Sequence, residues 1–271
     1  MKNLSLLAMS LLLTSVAFAQ KNQFDIDAQI RSRAEYRNGQ GTLRPAGADP
    51  AFFVNERARL ALGYNRNDYL ELRLAAQHVG VWGDGAQIDK SSNFVLNEAW
   101  AKIRPVKSFF IQLGRQTLSY DNERILGGLD WHVSGRYHDA LRLGLETGKH
   151  SLHGVFAYNQ NSENTLGTFY ESSETPTASM DYKALQMLWY HYNGGAFQAS
   201  LLAMNINRQV GTKEAPATKN MQTWGTYLTW KDGGFALNGS FYLQTGKTTA
   251  DKSVLAYMWD IKATLKATDV G

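Results

Sequence analysis

The chain has 271 residues and a formal net charge of +4, with 13 Tyr, 12 Phe, 7 Trp, 24 Gly, only 5 Pro and no Cys. The missing cysteine excludes disulfides and thiolate metal sites. So mild a charge gives no reason to expect a nucleic-acid partner, and no cofactor is expected.

The N-terminus reads MKNLSLLAMSLLLTSVAFAQ. Lys2 is a short positive region, Leu4 to Val16 an apolar one, and Ala17-Phe18-Ala19 a small-residue cleavage pattern. Residues 1–19 therefore read as a signal peptide and 20–271 as the mature domain. No later segment holds the ~20 apolar residues of a membrane helix, which leaves membrane strands possible.

FDIDAQIRSRAEYR (24–37) alternates strictly. Phe24, Ile26, Ala28 and Ile30 share one parity, and Asp25, Asp27, Gln29, Arg31, Arg33, Glu35 and Arg37 the other. A period of two makes a strand with one oily and one wet face. Further segments of this kind follow near 52–64, 69–82, 94–104, 109–116, 137–146, 151–160, 181–191, 196–205, 220–230, 235–245 and 254–266. The segment 94–104 alternates poorly, because Glu98, Lys102 and Arg104 share a parity with Phe94, Leu96 and Trp100. Glu56 falls on an apolar parity.

NRND (65–68), PVKS (105–108), TGKH (147–150), NGG (193–195) and KDGG (231–234) read as tight turns. Longer links, 38–51, 83–93, 117–136, 161–180, 206–219 and 246–253, alternate with them. Short turns on one rim and long loops on the other mark an up-and-down membrane barrel. Aromatics beside the short turns (Tyr64, Tyr69, Phe109, Phe110, Trp189, Tyr190, Tyr192, Trp230, Phe235) fit an interfacial girdle. A barrel of twelve or more strands is too wide for side chains to fill, so the wet parity is expected to face a lumen. The fold class is all-β, an antiparallel up-and-down transmembrane β-barrel with about twelve strands in this chain. The expected location is the outer membrane of a Gram-negative bacterium.

The wet parity carries Arg31, Arg33, Arg57, Arg59, Arg73, Lys102, Arg104 and Arg142, with Glu35, Glu71, Glu98 and Glu146. Guanidinium groups bind carboxylates in forked pairs, so such rows suit acidic solutes. The plainer reading is a solvated wall steadied by Arg–Glu pairs. The segment GRQTLSYDNERILGGLDWHVSGRYHDALRL (114–143) holds a link dense in Arg, Asp, Gly and aromatics. Such a link can fold into a pore or remain a surface loop.

GRQ (114–116), YDNERILG (120–127), DW (130–131) and GRYHDALRL (135–143) resemble the alginate-export family of outer-membrane β-barrels. Weaker likeness, in FVNERARLALGY (53–64) and NEAWAKI (97–103), extends along nearly all the mature chain. The resemblance implies an eighteen-stranded barrel passing an anionic polysaccharide through an Arg-lined constriction, with Arg115, Asp121, Arg124, Asp130, Arg136 and Asp139 as constriction residues. Twelve strands and an end at KATDVG, without a terminal aromatic, make the chain a C-terminally incomplete piece on this reading.

The expected function is an outer-membrane channel for anionic or hydrophilic solutes. Its partners are outer-membrane lipid, the solute and a periplasmic export partner. Two alternatives stand beside it. An outer-membrane enzyme would draw on His132, Ser134, His138 and Asp139, although no nucleophile elbow is present. A plugged structural or adhesive barrel would fill its lumen with bulky residues such as Trp100 and Tyr242.

Overall fold

The structure, a computed structural model, describes residues 22–88, 93–163, 165–170 and 181–266. The signal-peptide segment 1–19 lies outside the described residues, as do 171–180 of one long link. Among the described residues all regular structure is β: β1 (Asn22–Arg37), β2 (Ala51–Arg66), β3 (Leu70–Val81), β4 (Phe94–Val106), β5 (Phe109–Gln116) and β6 (His138–Thr147). Then come β7 (His150–Tyr158), β8 (Ala184–Asn193), β9 (Phe197–Gly211), β10 (Pro216–Asp232), β11 (Phe235–Lys247) and β12 (Ser253–Leu265). They form one twelve-stranded sheet in chain order, with antiparallel neighbours in every pairing registered. This is the up-and-down topology that the alternation predicts. The turn between β2 and β3 shows why it forms: Asn67 and Asp68 take φ of 50° and 57°, the left-handed pair that tight hairpins require.

One predicted feature is overturned. The segment 206–219 is not a long link. β9 and β10 run through it in continuous register, from Asn207↔Asn220 to Gly211↔Pro216, and only residues 212–215 turn. Its sequence, INRQVGTKEAPATK, shows no oily parity, so the pattern fades before the strands do. Backbone pairing does not need one face to be apolar. The strict alternation of short and long connections therefore fails here.

The chain divides into two compact units. The first holds β1–β3, β4 as far as Ile103, residues 115–117 and residues 128–137. Its apolar parity is bare: Ile26 is 71% and Ile30 82% exposed, and Leu60, Leu62, Leu72 and Leu74 are exposed beside them. The opposite parity is covered by the link segment 128–137, and there Arg57, Ala61, Ala75 and Gln77 are buried.

A β-bulge explains the poor alternation of 94–104. Ala76 faces Leu96 while Ala75 faces Glu98, so Asn97 is one residue extra. An extra residue shifts the side-chain parity by one. Phe94 and Leu96 therefore lie on the apolar face, and Glu98, Trp100 and Lys102 on the link-bearing face. Glu56 stays on the apolar face, where its carboxylate accepts the Trp82 indole N–H at 2.7 Å.

The second unit holds 104–114, 118–127 and everything from His138 onward. Here the link segment 118–127 packs on an apolar wall. Leu118 and Leu126 are fully buried against Val155, Leu185, Met187, Leu202, Met204 and Ile206. The opposite face is again exposed and apolar, with Leu188, Leu201, Leu228, Leu237 and Phe241. Two of the aromatics expected in the girdle face the other way. Phe110 and Trp189 turn to the link-bearing face, one over Gly144 and the other against Tyr120.

Gly144 is required by that placement, because a Cβ there would fall inside the Phe110 ring. Gly144→Ala is expected to cost about 1–3 kcal/mol through overpacking. Phe110→Leu in the same chain should recover part of the loss, as read by urea unfolding in vesicles. A Gly144→Ala chain as stable as the parent would refute this packing.

Candidate functional site

The link-bearing face of the first unit gathers most of the sequence-selected cations. In β1 and β2, side chains two apart point the same way, so Arg33, Arg31, Arg57 and Arg59 form a staggered row, with Arg31 directly opposite Arg57, Arg33 opposite Asn55 and Arg59 opposite Gln29. Four guanidinium groups so close repel one another unless something neutral or negative lies between them. The link supplies it. Asp130 accepts from Arg57 at 2.8 Å and lies 3.5 Å from Arg31 and 3.8 Å from Arg59. Burial pushes the Asp130 carboxyl upward, but the hydrogen bond and charge of Arg57, with Arg31 and Arg59, outweigh it. The group is held below the usual carboxylate range.

The wall then takes the link by its backbone. Arg33 donates to the Trp131 carbonyl at 2.7 Å, Arg31 to His132 at 2.8 Å and Arg57 to Val133 at 3.4 Å. Gln77 and Asn97 both donate to Ser134, at 2.7 and 3.4 Å. Four successive carbonyls are thus satisfied by side chains from β1, β2, β3 and β4. The bonds to Trp131 and His132 are exposed and those to Val133 and Ser134 partly buried, so the ladder holds the segment most firmly at 133–134. Arg57 is the centre of the array. It is fully buried, and Gln29 also accepts from it.

At the edge of this patch Arg33 shares Glu35 with Arg37, each at 2.6 Å. Other cations stand apart from it. Arg73 lies between Asp25 (3.4 Å) and Glu98 (3.7 Å), and Lys102 pairs with Glu71 at 3.1 Å. Arg136 is partly buried, and its backbone N–H donates to Gly128 at 2.8 Å. In the second unit Arg104 pairs with Glu146 at 2.9 Å. There Arg142 donates to Gln112 at 2.9 Å, Asp121 accepts from the Trp189 indole at 3.0 Å, and Arg124 lies 3.6 Å from Asp260.

Two predicted constriction residues are misplaced. Asp139 is exposed and shares the parity of Leu141, Leu143 and Leu145, the apolar face of β6. Arg115 shares the parity of Ile111 and Leu113, stacks over Tyr137 at 4.2 Å and donates to the Leu96 carbonyl. Both owe their predicted place to a motif, and the strict period of two overrides the motif. The same parity dismantles the hydrolase-like set: His138 is buried and hydrogen-bonded to Tyr182 at 2.6 Å, while Asp139 leaves by the opposite face. Sequence reasoning misses Gln29, Gln77 and Asn97. The first two share a parity with the arginines. Only the bulge brings the third to the link.

No family model and no curated protein matches the sequence. Solved structures do match. OpdK, an outer-membrane protein of Pseudomonas aeruginosa, superposes with TM-score 0.60 at 9% identity, over 90% of this chain and 63% of its own. OccK9 (OpdG) of the same organism gives 0.60 at 12% identity, over 92% of this chain and 65% of its own. OmpF of Salmonella typhi gives 0.54 at 12% identity, over 93% and 76%. This chain therefore spans less than two thirds of the length of either Pseudomonas protein. At such identities the likeness is one of fold, that of outer-membrane porins. It does not reach the alginate-export family. In such a fold the bare apolar face is the one that turns to lipid.

Proposed function

We propose that this chain, after loss of residues 1–19, builds the wall of an outer-membrane channel for hydrophilic solutes, with a bias toward anions. The observation that carries the reading is the carbonyl ladder. A long link is pinned by guanidinium and amide groups to the face opposite the bare apolar band. Lipid covers the apolar band, and water fills the space the link narrows. Within the patch Arg31, Arg33, Arg57 and Arg59 outnumber Asp130 and Glu35, so the local field attracts negative charge. The finer solute class is an acidic oligosaccharide or polysaccharide, as the sequence resemblance implies. A periplasmic partner belongs to the same proposal if transport runs outward.

The test is the reversal potential of the whole protein in planar bilayers under a salt gradient. Anion preference is expected, falling toward neutrality when Arg33 and Arg59 are both changed to Gln. Cation preference in the parent would defeat the reading.

A second reading, the plugged barrel, is favoured by the dry packing of Leu118 and Leu126 on the wall of the second unit. It predicts correctly folded protein with no conductance.

A further inference from the structure

We propose that the link-bearing face of the second unit carries a binding site for one neutral, hydroxylated sugar ring, formed by Asp121, Trp189, His191, Gln198, Tyr227 and Thr229. These side chains line a cavity of about 220 Å³. That is below the ~300 Å³ where pockets for drug-sized ligands begin, and suits a single ring. The site stands independently of the anion bias proposed above.

Its scaffold is specific. Asp121 comes from the link and sits at φ 54°, an uncommon conformation outside glycine. Trp189 from β8 donates its indole N–H to one Asp121 oxygen at 3.0 Å, which aims the carboxylate. Tyr120 meets the Trp189 ring edge-on at 5.0 Å, and His191 stacks flat on it, with 4° between planes. Trp189 is therefore held as a strut. The rings that remain to bound the cavity are those of His191 and Tyr227.

The chemistry of the free polar groups selects the ligand. Among the described residues, the side chains of His191, Gln198 and Thr229 have no hydrogen-bond partner, and Asp121 uses one oxygen only. Tyr227 makes one long bond, 3.4 Å, to Asn238. The set mixes acceptors (carboxylate, amide oxygen), donors (amide N–H) and groups that do both (hydroxyls, imidazole). A cation asks for acceptors alone. An anion asks for donors and is opposed by Asp121, and no Lys or Arg lines the cavity. A polyol presents hydroxyls that both give and accept, set on an apolar ring that packs on flat side chains.

The experiment titrates the folded whole protein in micelles with methyl glucoside, glucuronate and ethylamine, reading tryptophan fluorescence and titration heat. Saturable binding of methyl glucoside is expected, weakened about tenfold by Gln198→Ala and again by Thr229→Val, each of which removes a group with no partner in the fold. Folding of each variant is checked by its gel shift on heating. No saturable response to methyl glucoside, tighter binding of ethylamine or glucuronate, or unchanged binding in both folded variants would overturn the site. Conductance is not part of the readout, so a protein that binds sugar without conducting counts against the channel and not against this site.

Discussion

Arg57→Met is expected to free the link while leaving the sheet assembled. The substitution keeps a long side chain in a fully buried position and deletes the Arg57 donors that reach Gln29, Asp130 and the Val133 carbonyl, leaving Arg31 and Arg59 near Asp130. Hydrogen bonds from a charged group are worth about 1.5–3 kcal/mol. Asp130 is 65% exposed on its side chain, which screens its share and argues for the lower part of that range. A loss of about 2 kcal/mol raises the detached population about thirtyfold. Two readouts follow: protease cleavage within 128–137 becomes faster, and single-channel conductance rises with more open-channel noise. Arg33→Met, which loses an exposed contact to Trp131, should show the same changes more weakly. Equal cleavage and conductance in the parent and Arg57→Met would show that the ladder does not hold the link.

The second large effect tests which face meets lipid. Leu74 lies well inside β3 on the apolar face and is 46% exposed in the isolated chain. Leu70 has the same parity at the end of that strand, beside the short turn. Arg on the lipid face costs roughly 2–4 kcal/mol at mid-depth and about 0–1 near the interface. Leu74→Arg should therefore depress folding yield into vesicles strongly, and Leu70→Arg barely. Equal costs at both positions would mean that the band is not buried in hydrocarbon.

Most of the wall is legible because a strand with one face in oil repeats every two residues. The alternation places β5 at 109–116 to the residue, and most other boundaries differ by one to three. The failures have physical causes. The extension of β9 and β10 carries polar residues on both parities, so it shows no contrast for a pattern to detect. The region of Asn97 reads as a weak strand because a bulge exchanges the faces midway, and the misfit of Phe94 with Glu98 is its only trace. In β8 and β9 the link-bearing parity is apolar, since Leu118 and Leu126 cover it and exclude water. The arginine patch is visible as a row of like parity. Its binding of the link is not, because no sequence pattern shows which carbonyls a guanidinium will meet.

Holding the link by its peptide oxygens has a consequence for divergence. Every residue type has the same carbonyl, so the wall is indifferent to what stands at 131, where the Trp131 side chain projects 69% exposed, whereas the His132 imidazole also accepts the Ser134 backbone N–H at 3.2 Å. In the channel proposed above, replacing Trp131 alters what a passing molecule would touch without unfastening the segment. In that proposed channel tenure and taste are set by separate atoms, so solute preference can be retuned while the mooring goes untouched.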